Sequence, residues 1–432
     1  MSDLTTKLAE RAARIVVSGA GYVGLPLALE LARAGFHVTA LDPNGRKIEA
    51  ILRGKSYVEG ISDADLVAVV EPRRLAASSD PRVLAEADAV VICVPTPLDA
   101  TRAPDTSYIS AALDDIVRYQ HPGMLVVLES TTYPGTTLEL LAPRLSARFT
   151  LGEDVFVAYS PERTDPGNAR HGVRNTPKVV AGVTPACLRA ALALYGAIVE
   201  QTVPVSSTTA AELVKLLENT FRAVNIGLAN ELAMLSRRLG VDPFEVVDAA
   251  STKPFGFMPF YPGPGVGGHC IPVDPLFLAW KAASLGLNAE FAELADRVNR
   301  AMPDHVLRRA AELLAGAKQA LRGAKVLVYG MTYKPDIADT RESPGLRIIQ
   351  KLAQEGADVA CMDPLVVELP PTHRALTRVD SASSFSPYDL VVVVVPHRSL
   401  DRERLLAEGR LILDTRNVLA EAHGPRAHVH GL

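Results

Sequence analysis

Cysteine is scarce in this chain. Its four residues, Cys93, Cys187, Cys270 and Cys361, are far apart and never spaced CxxC, which argues against a disulfide framework or a cysteine-held zinc site and fits a reducing compartment. Basic residues form no block, and the formal net charge of −4 leaves no clustered positive face of the kind nucleic acid requires. Nucleic acid is therefore set aside as a partner. Long apolar runs are also missing: the longest, such as Leu390 to Val395, are too short to span a bilayer, and Met1 to Arg14 mixes Asp3, Lys7, Glu10 and Arg11 with apolar residues. A soluble, cytoplasmic protein without a membrane partner is expected. The histidines of the tail, His423, His428 and His430, read as a frayed terminus rather than a metal site, and no metal is expected.

The 432 residues exceed what one hydrophobic core usually supports, so two or three domains are expected. The short β-branched run Arg14 to Ser18 leads into Gly19-Ala20-Gly21-Tyr22-Val23-Gly24, then a helix-forming stretch Leu25 to Ala34 closed by Gly35. This is a strand, a glycine turn and a helix. Gly19 permits the turn, Gly21 admits a pyrophosphate to the backbone, and Gly24 allows close helix–strand packing, with the helix N-terminus facing the phosphates. A second strand, Val38 to Leu41, ends at Asp42, placed to accept hydrogen bonds from ribose hydroxyls and so to favour NAD over NADP. Arg46 and Lys47 are the residues that could instead accommodate a 2′-phosphate.

Further apolar strands end in the loops Pro95-Thr96-Pro97, Glu129-Ser130-Thr131-Thr132 and Ser160-Pro161-Glu162-Arg163. Ligands of open α/β sheets gather beyond the carboxyl ends of strands, so these loops should face nicotinamide and substrate. Taken alone, Glu129 and Glu162 could equally be solvated loop carboxylates. Thr209 and Glu212 have the spacing of a capping box, and a proline-free run of helix formers continues to Leu239, where Gly240 ends it. That helix, about 45 Å long, suits a domain link or a subunit contact. Lys215 and Asn219 share one face and Arg222 continues it, while Leu213, Val214, Leu216, Leu217 and Phe221 imply that the polar pair is partly buried.

The pattern of strands and helices returns from Lys325 onward, but here the first strand is followed by Tyr333, Lys334 and Arg341 rather than by GxGxxG. Cationic side chains should grip a second phosphate-bearing molecule there. Between the two α/β parts lies Gly263-Pro-Gly-Val-Gly-Gly-His-Cys-Ile-Pro-Val-Asp274. Cys270 is the candidate nucleophile of this loop; its glycines can supply N–H groups to a thiolate and let a substrate approach the backbone.

Assembled, these residues resemble the UDP-glucose/GDP-mannose dehydrogenase family over residues 12 to 420. The resemblance rests on the glycine loop, Cys93-Val94-Pro95-Thr96-Pro97, Ser160-Pro161-Glu162-Arg163, Lys215 with Asn219, Gly267-Gly268-His269-Cys270 with Asp274, and Arg341-Glu342-Ser343. Ala20 and Thr164 are small departures. Within the family, Ser251 to Phe257 leading to Tyr261 is most similar to the branch acting on UDP-N-acetylhexosamines, UDP-N-acetylglucosamine above all, and Phe255 to Tyr261 could wall an acetyl methyl group.

The resemblance implies two Rossmann-like three-layer α/β domains joined by a central helical domain with one long helix. The expected boundaries are 1–205 for an NAD-binding domain, 206–318 for the helical domain with the cysteine loop, and 319–432 for a UDP-sugar-binding domain. It implies a double oxidation at carbon 6 with two NAD, through a thiohemiacetal and a thioester on Cys270, and a place in polysaccharide biosynthesis. Lys215 and Asn219 would stabilise the developing oxyanion beside a water held by Asp274; Glu162 would activate the hydrolytic water, with Thr131 orienting it. The cofactor would be held by Gly19, Gly21, Tyr22, Val23, Gly24, Asp42, Pro95, Thr96, Thr131 and Arg341. The UDP-sugar would meet Glu162, Arg163, Lys215, Asn219, Phe260, Tyr261, Gly267, Tyr333, Lys334 and Arg416, with Arg222 or Lys253 reaching a neighbouring subunit's substrate in a homodimer built on the long helix. UDP-N-acetylmannosamine and UDP-glucose are the alternative substrates. A one-step hydroxyacid-type dehydrogenase, which has no need of Cys270, and a non-catalytic nucleotide-sugar binder are the alternative functions.

Overall fold

The computed structural model describes residues 2–164, 170–366, 368–369 and 376–432. The chain divides into two compact units, Met1–Glu218 with Leu276–Leu287, and Asn219–Pro275 with Asn288–Leu432. Each unit is built on one largely parallel sheet, and the helical segment between the two α/β parts of the sequence is shared between them. The architecture is thus two Rossmann-like domains joined in sequence by a helical region.

In the first unit β1 (Arg14–Ser18), β2 (His37–Leu41), β3 (Leu75–Ser78), β4 (Ala89–Ile92), β5 (Leu125–Leu128), β6 (Phe156–Tyr159), β7 (Lys178–Gly182) and β8 (Thr202–Pro204) lie in the order β3-β2-β1-β4-β5-β6-β7-β8. Strand residues alternate between two cores: Ile15 and Val17 pack on one face with Ala89 and Val91, Val16 on the other with Val90 and Ile92. Both faces are dry, which is why these strands read as unbroken apolar runs. Two strands run backwards, β7 and β8, which are parallel to each other. β7 pairs with β6 antiparallel, Ala158 opposite Gly182 and Tyr159 opposite Ala181.

In the second unit β9 (Lys325–Tyr329), β10 (Asp358–Met362), β11 (Thr377–Val379), β12 (Leu390–Val393), β13 (Ile412–Asp414) and β14 (Val429–His430) are ordered β11-β10-β9-β12-β13-β14. The alternation recurs, with Val326 and Val328 in one core and Leu327 and Tyr329 in the other. The tail is not frayed, contrary to the sequence reading: Val429 and His430 pair with Ile412 and Leu413, and the His428 ring lies 3.0 Å from the Leu406 carbonyl oxygen.

The long helix runs Thr208–Leu239, and a second one, Glu290–Gly316 with Pro303 inside it, was not anticipated. Glu212 does not serve the capping box that its spacing suggests. Its carboxylate accepts hydrogen bonds from the Gly135 and Thr137 N–H groups and the Thr137 hydroxyl, pinning the turn that follows Thr131. Among the described residues no helix is long and apolar enough to cross a membrane, and no cluster of His, Cys, Asp or Glu is placed to hold a metal ion.

Candidate active site

The glycine turn of the first unit is fixed by sterics at two positions. Gly19 has φ +100°, and a Cβ there would come within 2.7 Å of the Cys93 carbonyl oxygen; a Cβ on Gly24 would lie 1.8 Å from the Gly19 oxygen. Gly21 faces open space, the condition for a phosphate to approach its backbone. Val23 is the N-cap of the helix Gly24–Arg33, and Tyr22 is partly exposed beside it. The buried Asp42 carboxylate accepts from Ala20 N (3.0 Å), Asn44 N (2.9 Å) and Lys47 Nζ (2.8 Å). Oδ1 carries only the Asn44 bond among these, so acceptor capacity for a ribose hydroxyl remains, and Lys47 is engaged with the carboxylate. These residues fit NAD. The Thr96 hydroxyl donates to the Thr131 carbonyl, joining the loops after β4 and β5, with Pro95 exposed at the rim.

Beyond β6, Glu162 is buried, and so is Glu129 beyond β5, so neither is the solvated loop carboxylate that each could have been. The buried Lys178 lies between them, its Nζ 3.0 Å from Glu129 and 3.6 Å from Glu162. The Tyr195 hydroxyl donates to Glu129 at 2.6 Å. Burial pushes the Glu129 carboxyl up. Burial opposes ionisation of Glu162 too, but the Lys178 charge, the Thr164 hydrogen bond and Lys215 outweigh it and hold that carboxyl below its usual value. Burial would lower Lys178, and the two carboxylates reverse this. Arg163 donates to the Pro177 carbonyl and to Glu218, tying the β6 loop to the long helix. The sequence reading missed Lys178; its only local signal is a lysine heading the apolar run Val179-Val180-Ala181.

On the long helix Lys215 is buried in the first unit, and Asn219, one turn on and also buried, belongs to the second. Asn219 is fixed at both ends, its amide N–H donating to Asp274 and its carbonyl accepting from Arg222. Asp274 opens the helix Asp274–Ser284, its N–H bonded to the Cys270 carbonyl at 2.8 Å. The second unit therefore brings Cys270, Asp274, Asn219 and Arg222 together. Cys270 is partly exposed, unlike the other three cysteines.

The glycines of this loop are required by a neighbour as well as by any substrate. A Cβ on Gly267 or Gly268 would come within 2.8 Å of the Tyr333 side chain, and the Gly268 N–H donates to the Arg341 carbonyl. A Cβ on Gly263 would collide with the Arg416 guanidinium. Arg416 is half-buried, burial lowers its pKa to about 10, and among the described residues no carboxylate pairs with its side chain, which suits it to an anionic ligand. Arg341 clasps Asp339 through Nε at 3.0 and 2.9 Å, and the Lys334 carbonyl accepts from Thr332 Oγ1. Phe260 packs edge-on to Phe221, and Tyr261 stacks on Phe244 with its hydroxyl on Asp248, while exposed Lys253 lies over Phe255.

Comparison with known proteins finds relatives over most of the chain. Family models described as the NAD binding, central and UDP binding domains of the UDP-glucose/GDP-mannose dehydrogenase family match residues 13–199, 209–301 and 327–421. An NDP-N-acetyl-D-galactosaminuronic acid dehydrogenase of Ralstonia nicotianae is 37% identical over 94% of this chain and 96% of its own length. A UDP-N-acetyl-D-glucosamine 6-dehydrogenase of Pseudomonas aeruginosa is 34% identical over 89% and 90%, and several UDP-N-acetyl-D-mannosamine dehydrogenases match at 32% to 35% identity. The solved structure of the UDP-D-ManNAc dehydrogenase of Pyrococcus horikoshii superposes with a TM-score of 0.86 at 32% identity, covering 97% of this chain and 98% of that one. With its glycine turn fitted to NAD and its second sheet matched to a UDP binding domain, the chain belongs to the UDP-glucose/GDP-mannose dehydrogenase family and is an NAD-dependent oxidoreductase acting on a nucleotide sugar.

Proposed function

We propose that this enzyme oxidises carbon 6 of a UDP-N-acetylhexosamine twice, from alcohol to carboxylate. The observation that carries the reading is the grouping of a partly exposed Cys270 with buried Asp274 and Asn219. A one-step alcohol oxidation has no use for a thiol. NAD supplies the hydride acceptor. Lys215 and Asn219 stabilise the oxygen that loses its proton, beside a water held by Asp274. Cys270 Sγ adds to the aldehyde carbon, and the thiohemiacetal, on losing a hydride and its hydroxyl proton, becomes a thioester. Water, oriented with the help of Thr131, then attacks the thioester carbon while Glu162 takes its proton; the carbon–sulfur bond breaks and Cys270 leaves as thiolate. Tyr333, Lys334 and Arg416 hold the UDP-sugar, with Arg163, Gly267, Phe260 and Tyr261 around it. Arg341 serves the cofactor's phosphates.

For the sugar, the relatives support the alternative better than the N-acetylglucosamine expected from Phe255 to Tyr261. Mannosamine dehydrogenases recur among them, in solved structures as well as by sequence, and a galacto-configured relative has the higher identity of those quoted. UDP-N-acetylmannosamine is the substrate proposed. The test is a panel of UDP-N-acetylmannosamine, its gluco and galacto epimers and UDP-glucose, read as kcat/KM, NADH per sugar and product mass. Two NADH per sugar with the manno epimer preferred, and loss of the acid in Cys270→Ser, are expected. One NADH per sugar overturns the double oxidation, and a higher kcat/KM for another sugar overturns only the epimer.

A homodimer through the long helix is part of the same proposal, and an inverted amphipathicity supports it. Leu213, Leu217, Phe221, Leu228, Leu235 and Leu239 are exposed and fall within an arc of about 80° at 100° per residue, opposite Lys215 and Asn219. Light scattering should give twice the chain mass, and a monomeric mass would refute it.

A further inference from the structure

The reversal of β7 places a lysine where a parallel strand could not. Because β6 and β7 pair antiparallel with Tyr159 opposite Ala181, continuing the register sets Lys178, the first residue of β7, opposite Glu162, three residues past the end of β6. The Ser160 hydroxyl, bonded to the Val179 carbonyl at 2.7 Å, holds that extension together. β5 lies on the other side of β6 with Leu128 opposite Tyr159, so Glu129 arrives at the same edge. Two carboxylates and one ammonium thus meet where β5 and β6 end and β7 begins. Lys178 is anchored from several directions: Glu129 at 3.0 Å, the Pro161 carbonyl at 3.3 Å, and the Tyr195 ring, 5.1 Å from Nζ to its centroid. A small cavity lined by Glu162, Arg163, Thr176 and Lys178 reaches the Glu162 side of the group.

We propose that Lys178, anchored by Glu129 and Tyr195, is a positioning residue that keeps the buried Glu162 ionised and aimed, ready to take a proton from water. This rests on the reading of Glu162 as the base for thioester hydrolysis. A buried carboxylate without a compensating charge takes up a proton and ceases to be a base. Glu162 at 3.6 Å from Nζ has such compensation, and the closer Glu129 keeps Lys178 charged in turn. The charged and titratable groups that act on this cluster are Glu129, Glu162, Lys178, Lys215, Tyr195 and the thiol of Cys93. Of these, Lys178 and Lys215 are the cations.

The test measures the lifetime of the covalent adduct on Cys270 by intact-protein mass spectrometry during turnover, from pH 5 to pH 9. Removing one member of a buried ion pair is far more disruptive than replacing both, so the primary variant is Lys178→Met with Glu129→Gln. In the wild type, hydrolysis should be flat across this range because Glu162 is already ionised. In the double variant it should become pH-dependent: the adduct should last at least about tenfold longer at pH 6 and shorten by up to tenfold per unit as pH rises and Glu162 ionises again. The first hydride transfer should keep its rate. A wild-type pH profile in the double variant overturns the proposal. Glu129→Gln alone keeps Lys178 beside Glu162 while loosening its anchor, so its adduct should be shorter-lived at low pH than that of the double variant; an adduct that persists as long as in the double variant also overturns the proposal. Glu162→Gln separates the two readings. Adduct accumulation at every pH is expected; its absence removes Glu162 from hydrolysis and the role of Lys178 with it.

Discussion

In the first sheet β1 is followed by Gly19, and in the second β9 is followed by Gly330; both glycines have positive φ, and at both a Cβ would strike backbone just beyond the neighbouring strand, Cys93 or Val395. The helix that follows starts close against the same glycine in each case: a Cβ on Gly24 would lie 1.8 Å from the Gly19 oxygen, and one on Gly345 2.4 Å from the Gly330 oxygen. At the end of the second strand stands an aspartate each time. Asp42 accepts from the Ala20 N–H, and Asp363 accepts from the Met331 N–H at 2.6 Å. The two frames differ in what joins glycine to helix. The first does so with 20–23, the second with 331–344, and the longer loop carries Tyr333, Lys334 and Arg341. One frame binds a dinucleotide by presenting backbone at short range. The other has a longer loop, and Tyr333 and Lys334 on it are the side chains proposed above to hold the UDP-sugar.

The largest effect that would break this comparison comes from the helix-entry glycines. Gly24→Ala and Gly345→Ala each put a methyl group into backbone that cannot yield, so each should destabilise its own α/β part by about 3 kcal/mol or more. If the frames serve different ligands, Gly24→Ala should abolish NAD binding and spare UDP binding, and Gly345→Ala should do the reverse. Calorimetric titration of each variant with NAD and with UDP decides this. Loss of both ligands in both variants would make the frames one cooperative unit rather than two independent grips.

The second effect separates the two aspartates. Asp42 has Lys47, a partly exposed partner, whereas Asp363 is fully buried against His397, also fully buried, 3.1 Å away. Burial would raise the Asp363 carboxyl, but the hydrogen bond from His397 and the backbone N–H groups of Met331 and Leu365 outweigh it and hold it below the usual value. A carboxylate depressed in the folded state contributes stability above its unfolded pKa of about 3.9 and loses it as pH falls through the lower folded value. His397→Phe should cost about 1 to 3 kcal/mol at pH 7, since one donor to a buried carboxylate is lost while the backbone donors remain. The cost should begin to shrink below about pH 4 and vanish only once pH has fallen through the lower folded value, where Asp363 is protonated in both proteins. Urea melts in a series from pH 7 down to about pH 2 measure it; a cost that stays constant over the whole series would mean that His397 contributes packing alone.

How much of this was legible in the sequence follows from how local each feature is. The Gly19–Gly24 turn with Asp42 and the 32-residue helix Thr208–Leu239 are each set by residues of one short stretch of chain, and the glycines announce their own geometry. Lys215 and Asn219 read as a partly buried pair because helical spacing fixes a shared face, and in the structure both are buried. The same spacing did not reveal that Leu213, Leu217 and Phe221 point outward, since periodicity shows that a stripe exists and not what it faces. Lys178 escaped because its meaning depends on β7 running backwards, and nothing in the run Val179-Val180-Ala181 encodes strand direction. Glu212 escaped in the same way: the capping-box spacing is real, but tertiary contact offered its carboxylate the N–H groups of Gly135 and Thr137 instead.

The smallest effect sharpens the comparison where the two aspartates differ most, in the exposure of their partners. Lys47 is about one third exposed and bonds Asp42 Oδ2 at 2.8 Å, so its ion pair is screened and is worth at most about 1 kcal/mol. Lys47→Ala should therefore leave unfolding nearly unchanged, in contrast to His397→Phe. Its effect should fall on the cofactor instead. Freed from the ammonium, Asp42 Oδ2 becomes a better acceptor for a ribose hydroxyl and a stronger repeller of a 2′-phosphate, so NAD affinity should change by no more than about fivefold and discrimination against NADP should increase. Parallel titrations of wild type and Lys47→Ala with NAD and NADP give the answer. A variant that accepts NADP better than the wild type does would show that Lys47 guards the carboxylate rather than competing for it.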